Sequence, residues 1–339
     1  MKRILVLASI LIFSCSNDPQ NCDILIENGM IYDGTGDKPY KGVVAISNDK
    51  IIYVGKNKKF IADKVIDATD KAVSPGFINM LSWAYNTLMN DGRSLSDLKQ
   101  GVTLEVFGEG TSPGPSGNIE DNSYVSFGEA MQTLEDNGVS TNIASYLGAT
   151  TVRIQEIGYA NRKATDEEME SMRNIVKLAM EQGAIGIGSS LIYAPADYAD
   201  TNELIELSKV ASAYGGRYIS HMRNEDSRIL SAVDELIEIA EQANIPAEIY
   251  HLKASRQSNY HLLDSVISKV EEARSRGLEI TADMYTYTAS STGLTGVIPT
   301  WVQEGGREAW INRMKRPEIR KRLFADIRKE LSEQPPEGI

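Results

Sequence analysis

Arg217-Tyr218-Ile219-Ser220-His221 and Ala247-Glu248-Ile249-Tyr250-His251 decide how this chain is to be read. Each is a short apolar run rich in β-branched and aromatic residues, the pattern of a buried strand, and each closes on a histidine. The stretch from Leu230 to Ala243 between them has the spacing of an amphipathic helix, so the pair reads as a βαβ unit. In such units a polar residue ending a strand sits at the C-terminal rim, where sites are built. Adjacent strands set the two imidazoles side by side, close enough to share a metal ion. Two hydrogen-bonded rim histidines without a metal are the alternative. The third histidine, His261, begins a helix and is expected at the surface.

The same rhythm extends both ways from this pair. Apolar runs at Val73 to Leu81, Thr103 to Phe107, Asn142 to Leu147, Ala184 to Ser189, Arg217 to His221, Ala247 to Leu252 and Glu279 to Tyr285 give seven candidate strands. Helical stretches separate them. Thr165-Asp166-Glu167-Glu168 is a capping box ahead of the apolar positions Met169, Met172, Val176 and Ala179. Thr201 is expected to cap the next helix, and Gly277 to close the one running from Leu262 to Arg276. A polar helical stretch follows from Ala309 to Leu331. Seven such strands amount to an α/β fold of the (β/α)8 TIM-type barrel class lacking its last strand, spanning 73–339.

Before it, 23–72 has another texture. Ile24-Leu25-Ile26, Val43-Val44-Ala45-Ile46 and Ile51-Ile52-Tyr53-Val54 are β-branched runs parted by the turn signals Asp33-Gly34-Thr35-Gly36 and Ser47-Asn48-Asp49-Lys50. This predicts part of a small β-sandwich or open barrel, with a β-sandwich segment as the expectation. Residues 1–22 read as an export signal and tether: Met1-Lys2-Arg3 is basic, and Ile4 to Phe13 is apolar but too short to span a bilayer. Ile12-Phe13-Ser14-Cys15 resembles a bacterial lipoprotein signal, which implies lipidation of Cys15 and a place at the cell envelope. An ordinary cleaved signal peptide, giving a secreted protein, is the alternative. Cys22, the only other cysteine, is placed in the flexible leader, so no disulfide framework is expected.

Composition narrows the function. With 42% hydrophobic residues, 24% charged residues and a net charge of −12, the chain suits an ordinary globular protein. Its charge is wrong for a nucleic-acid surface, which needs clustered Lys and Arg. Membrane contact is expected only through a lipid anchor.

Five motifs in order, Pro75-Gly76-Phe77-Ile78-Asn79, Gly101-Val102-Thr103, Ile219-Ser220-His221-Met222-Arg223-Asn224-Glu225, His251-Leu252-Lys253-Ala254 and Asp283-Met284-Tyr285-Thr286-Tyr287-Thr288-Ala289-Ser290-Ser291-Thr292, resemble the N-acyl-D-amino-acid deacylases (D-aminoacylases) of the amidohydrolase superfamily. The resemblance covers roughly residues 23–339 and implies a (β/α)8 barrel, a β-sandwich built from both chain ends, and zinc-assisted release of a D-amino acid from a small N-acyl amino acid. It makes His221 and His251 ligands of the tightly held metal. Glu109, in Phe107-Gly108-Glu109-Gly110-Thr111, stands near the family's cysteine and is the candidate third ligand. The family's His-x-His after Pro-Gly-Phe-Ile-Asp is replaced by Asn79-Met80-Leu81-Ser82-Trp83, so one zinc ion is expected. Lys253, Tyr285 and Ser291 match substrate-binding positions, Lys253 being suited to an α-carboxylate. The family's catalytic aspartate follows an eighth strand and has no counterpart in this sequence, which leaves the catalytic base unassigned. A non-catalytic ligand-binding protein on the same scaffold is the competing expectation.

Overall fold

In a computed structural model of the chain, residues 19–332 are described, apart from 57, 119 and 120. The leader and Cys15 lie outside the described residues. Two compact units are found, divided between Gly76 and Phe77.

The first unit is one mixed sheet. Strands β1 (Gln20–Ile31), β2 (Tyr40–Ser47), β3 (Lys50–Gly55) and β4 (Phe60–Asp67) lie in the order β3-β2-β1-β4, and β5 (Ala72–Val73) also pairs with β1. The β1–β2 and β2–β3 pairs are antiparallel, whereas β4 and β5 run parallel to β1. β4 went unpredicted because Asp63, Lys64 and Asp67 break up its apolar pattern. Cys22 is corrected: it is not in a leader but on β1, buried with Leu25 and Ala45 in the sheet's small core, its thiol free.

The second unit is an alternating βα array. Its strands are β6 (Phe77–Asn79), β7 (Val102–Phe107), β8 (Asn142–Ser145) continued by β9 (Leu147–Gly148), β10 (Gly186–Ser190), β11 (Arg217–His221), β12 (Ala247–Ile249) and β13 (Ile280–Ala282). All neighbours run parallel and follow sequence order. Tyr146 interrupts the β8–β9 strand, but the ladder carries across it: the Tyr146 amide donates to the Phe107 carbonyl at 2.9 Å, and the Ile185 amide to the Ser145 carbonyl at 3.1 Å. These are the seven strands expected, several of them shorter than the apolar runs that mark them.

Helices cover the ladder because each presents an apolar stripe to it. Met172 and Val176 of the helix Asp166–Glu181, Leu204 and Leu207 of Thr201–Ala213, and Val233 and Leu236 of Ile229–Ala243 pack with Leu147, Ile187, Tyr218 and Ala247 of the strands. The capping box is formed as expected: Thr165 accepts from the Glu168 amide and Glu168 from the Thr165 amide. Two details differ from expectation. Asp200, not Thr201, caps the next helix, its carboxylate accepting from the Glu203 amide at 2.9 Å. The last helical stretch is broken at Pro317 into Gly306–Met314 and Pro317–Ser332, since proline cannot continue a helix from the preceding turn. No helix among the described residues is long and apolar enough to cross a membrane.

Removing the cap hydroxyl in Thr165→Ala should cost about 1 kcal/mol of stability in chemical denaturation. Hydrogen bonds from Arg162, and then from the Thr165 backbone, hold the Glu168 carboxyl at about 2. Its folded-state value lies below the unfolded one, so its contribution is complete above pH 4.5 and fades as pH falls toward 2. Glu168→Gln should therefore lower the melting temperature at pH 7 and leave it nearly unchanged at pH 2.

Candidate metal centre

Parallel pairing places the C-terminal ends of all these strands along one rim. His221 is the last residue of β11 and is 6% exposed; His251 follows β12, its neighbour in the ladder. Glu109 arrives from further away, two residues beyond β7. Gly108 and Gly110 flank it with φ of +108° and +71°, and a Cβ on Gly108 would lie 2.4 Å from the Tyr146 carbonyl oxygen. Only glycine permits both the conformation and the approach, so the loop folds in over the strand ends and carries the carboxylate with it.

The three side chains meet. Glu109 Oε1 is 2.9 Å from His221 Nδ1 and 3.7 Å from His251 Nε2, and the two nitrogens are 3.0 Å apart. Donors about 2.0–2.2 Å from a tetrahedral zinc ion stand roughly 3.3 Å from one another, so these spacings suit one ion. Among the described residues this is the cluster of His, Cys, Asp and Glu able to hold a metal. Two imidazoles and one carboxylate are also a donor set that zinc accepts. The residues fit the ion.

A second layer orients them. Glu225 Oε1 lies 2.9 Å from His251 Nδ1, and its other oxygen is 2.7 Å from Lys253 Nζ. Lys253 Nζ is also 3.0 Å from His251 Nδ1. The His251 backbone sits in the left-handed region at φ +38°, where its amide donates to Asp283 Oδ1 at 2.6 Å. The indole N–H of Trp83 donates to Glu109 Oε2 at 2.7 Å. His221 Nε2 is buried without a hydrogen-bond partner, with Glu225 Oε2 at 3.8 Å.

Electrostatics follow from these contacts. Burial opposes ionisation of Glu109, but hydrogen bonds from His221, His251 and Trp83 outweigh it and hold the carboxyl at about 2. Burial also disfavours a cationic His251, yet bonds to Glu109 and Glu225 raise it to about 9. Asp283 is pushed up to about 6 by burial, in spite of the His251 amide. Glu225 is lowered against its own burial by His251, His221 and Lys253.

Beside the centre is a cavity of about 460 Å³ reached by His221, His251, Glu109, Trp83, Tyr193 and Ser291. Tyr193 packs edge-on against the His221 ring and its hydroxyl is 2.8 Å from Thr292 Oγ1. Of the predicted residues, the structure thus gathers Glu109, His221, His251 and Ser291 around one space. Lys253 and Tyr285 do not line it; the ammonium is 5.9 Å from the Tyr285 ring centre. His261 is exposed on a short 3-10 turn, as expected. Trp83, Tyr193, Glu225 and Asp283 were missed as site residues. Glu225 carried a signal in its place four residues after His221 within the same motif, and Asp283 in its place at the head of the last motif.

No family model matches the chain. D-aminoacylase from Alcaligenes xylosoxydans xylosoxydans is 30% identical over 291 residues, covering 82% of this chain and 60% of the relative. A crystal structure of D-aminoacylase, described as defining a novel subset of amidohydrolases, superposes with a TM-score of 0.71 at 27% identity, covering 79% of this chain and 59% of that one. A further structure, from work on the binuclear metal centre of D-aminoacylase with one-metal activation and second-metal attenuation, gives 0.70 at 27% identity, covering 78% and 59%. The chain spans about three fifths of the length of the curated relative.

His221→Ala and His251→Ala should each abolish tight zinc binding in equilibrium dialysis, while His261→Ala should leave it unchanged. Glu225→Gln, which weakens the hold on His251, should lower zinc affinity by about 10–100-fold.

Proposed function

We propose that this homologue of D-aminoacylase, which shares its α/β amidohydrolase fold, is a zinc-dependent hydrolase that cleaves the amide of N-acyl-D-amino acids. The observation that carries the reading is the triangle of Glu109 Oε1, His221 Nδ1 and His251 Nε2, with sides of 2.9, 3.0 and 3.7 Å. Two finer points of fold go with it. The seven parallel strands are read as most of a (β/α)8 barrel, and the N-terminal sheet as one layer of a β-sandwich.

Glu109, His221 and His251 would hold one ion, because Asn79 to Trp83 offers no histidine pair for a second. When bound, zinc supplies a Lewis acid that polarises the acyl carbonyl and lowers the pKa of water. The chain's own residues hold the ion and the substrate, with the base left unassigned. Glu109 contributes one negative charge at the centre, and Glu225 and Asp283 hold His251 in its ligating pose. Lys253, with Tyr285 beside it, is assigned to the α-carboxylate; an incoming carboxylate would share the ammonium with Glu225. Ser291 lines the cavity next to the centre and is assigned to the scissile amide. The test is release of free amino acid from N-acetyl-D- and N-acetyl-L-amino acids by the zinc-loaded protein. Turnover of the D enantiomer alone, falling on the order of 10³-fold in His221→Ala, is expected, since the ion stabilises the transition state by several kcal/mol.

One observation favours a second reading, a ligand-binding protein without turnover. Two carboxylates at the centre are engaged through both oxygens, Glu109 with the imidazoles and Trp83 and Glu225 with His251 and Lys253, while Asp283 gives one oxygen to the His251 amide and keeps the other buried without a partner. Neither Glu109 nor Glu225 is free to take a proton from water. Saturable binding of N-acyl amino acids with no hydrolysis of either enantiomer would establish that reading instead.

The place of action is proposed from residues 1–15 alone: export, with Cys15 lipidated and the protein held at the cell envelope. In a bacterial host, Cys15→Ala should move the protein from the membrane fraction to the soluble fraction, as seen by fractionation and immunoblot.

A further inference from the structure

We propose that Trp83 is a positioning residue that makes Glu109 a one-oxygen ligand and thereby sets the centre's affinity for a single ion; the inference rests on the reading of Glu109, His221 and His251 as metal ligands. The two oxygens of Glu109 have separate partners. Oε1 faces His221 Nδ1 at 2.9 Å and His251 Nε2 at 3.7 Å, while Oε2 accepts the Trp83 indole N–H at 2.7 Å. Packing does not account for that bond, because Trp83 is 63% exposed. A large aromatic group left largely in water, yet aimed at a nearly buried carboxylate, is held there by its polar edge.

What aims the indole is a buried node one residue earlier. The Ser82 hydroxyl donates to Glu105 Oε2 at 2.7 Å, and the Ser82 amide to the Val106 carbonyl at 2.8 Å. Glu105 is fully buried on β7 and also accepts from Ser94 and Thr141 at 2.6 and 3.1 Å. The loop after β6 is thus fastened to β7, the strand that leads into Glu109. Trp83 and Glu109 are both tethered to this one strand, Trp83 through Ser82 and Glu109 through Gly108.

Two consequences follow from the choice of an indole. It is a neutral donor without acceptor capacity, so it fixes the carboxylate plane while leaving the negative charge of Glu109 for the ion. It also occupies Oε2, so that oxygen is not free for a second cation. A carboxylate otherwise turns freely about its last bond, and a ligand that must be immobilised on binding binds more weakly.

The test uses the full chain. Trp83→Phe keeps an aromatic ring and removes the N–H. Zinc dissociation constants are measured by competition with a chromophoric chelator, and stoichiometry by elemental analysis, for the wild type, Trp83→Phe, Glu109→Gln and the double variant. The expected result is one ion in the wild type, an affinity lower by about 10–100-fold in Trp83→Phe, and no further loss when Trp83→Phe is added to Glu109→Gln. An unchanged affinity in Trp83→Phe, or losses that simply add in the double variant, would overturn the proposal. So would a metal-free Trp83→Phe protein that has lost its fold by circular dichroism, since Trp83 would then be a structural residue. A wild type that binds no zinc would instead overturn the metal-site reading on which the proposal stands, and the two failures are told apart by the wild-type measurement alone.

Discussion

A carboxylate buried to 8% exposure must find compensating positive charge or hydrogen bonds, and the second unit is organised around supplying them to Glu109. The parallel ladder does the first part of this. Because β11 and β12 are neighbours in register, their C-terminal ends deliver His221 and His251 to within 3.0 Å of each other. The glycine-flanked loop after β7 does the second part, carrying the carboxylate over the ends of β9 and β10 to meet them. Each element is ordinary alone, but neither histidine nor Glu109 could be placed without the other strands in order.

Charge is then distributed outward in layers. Glu109 and Glu225 stand on opposite sides of His251, one at its Nε2 and the other at its Nδ1. With no ion bound they favour the protonated ring against its own burial, a proton that a metal would displace, and Lys253 supplies the further positive charge that Glu225 needs. The same contacts orient the ring for a metal, since an imidazole whose far nitrogen is tied down can present only the near one. Asp283 adds a backbone constraint. Its bond to the His251 amide holds a non-glycine residue at positive φ, a conformation that costs energy and persists only when the surroundings impose it.

Much of this was legible in the sequence, and the reason is periodicity. Strand runs such as Arg217 to His221 alternate with helices whose apolar faces recur at helical spacing, and both patterns are set by burial, which a single sequence displays. The paired strand-end histidines were legible for the same reason. What was illegible depends on contacts between residues far apart in the chain. Trp83 meets Glu109 only because Ser82 is pinned to a buried glutamate. Asp283 meets His251 only through the ladder. β4 was hidden because it belongs to a half-exposed sheet whose charged residues mask alternation, and Cys22 because its strand begins earlier than its apolar run.

As the proposed third ligand, Glu109 brings a cost that its surroundings meet. A thiolate, the ligand that resemblance implies for this position, offers one donor atom and needs no partner beyond the ion. A carboxylate offers two oxygens, and the one that does not face the ion still has to be satisfied in a nearly buried place. Water would serve, but would leave the carboxylate free to turn. A lysine or arginine would fix it, but would compete with the ion for its charge. A neutral N–H donor held on a fastened loop avoids both problems. On the proposed reading, the indole of Trp83 and the carboxylate of Glu109 therefore act as one unit.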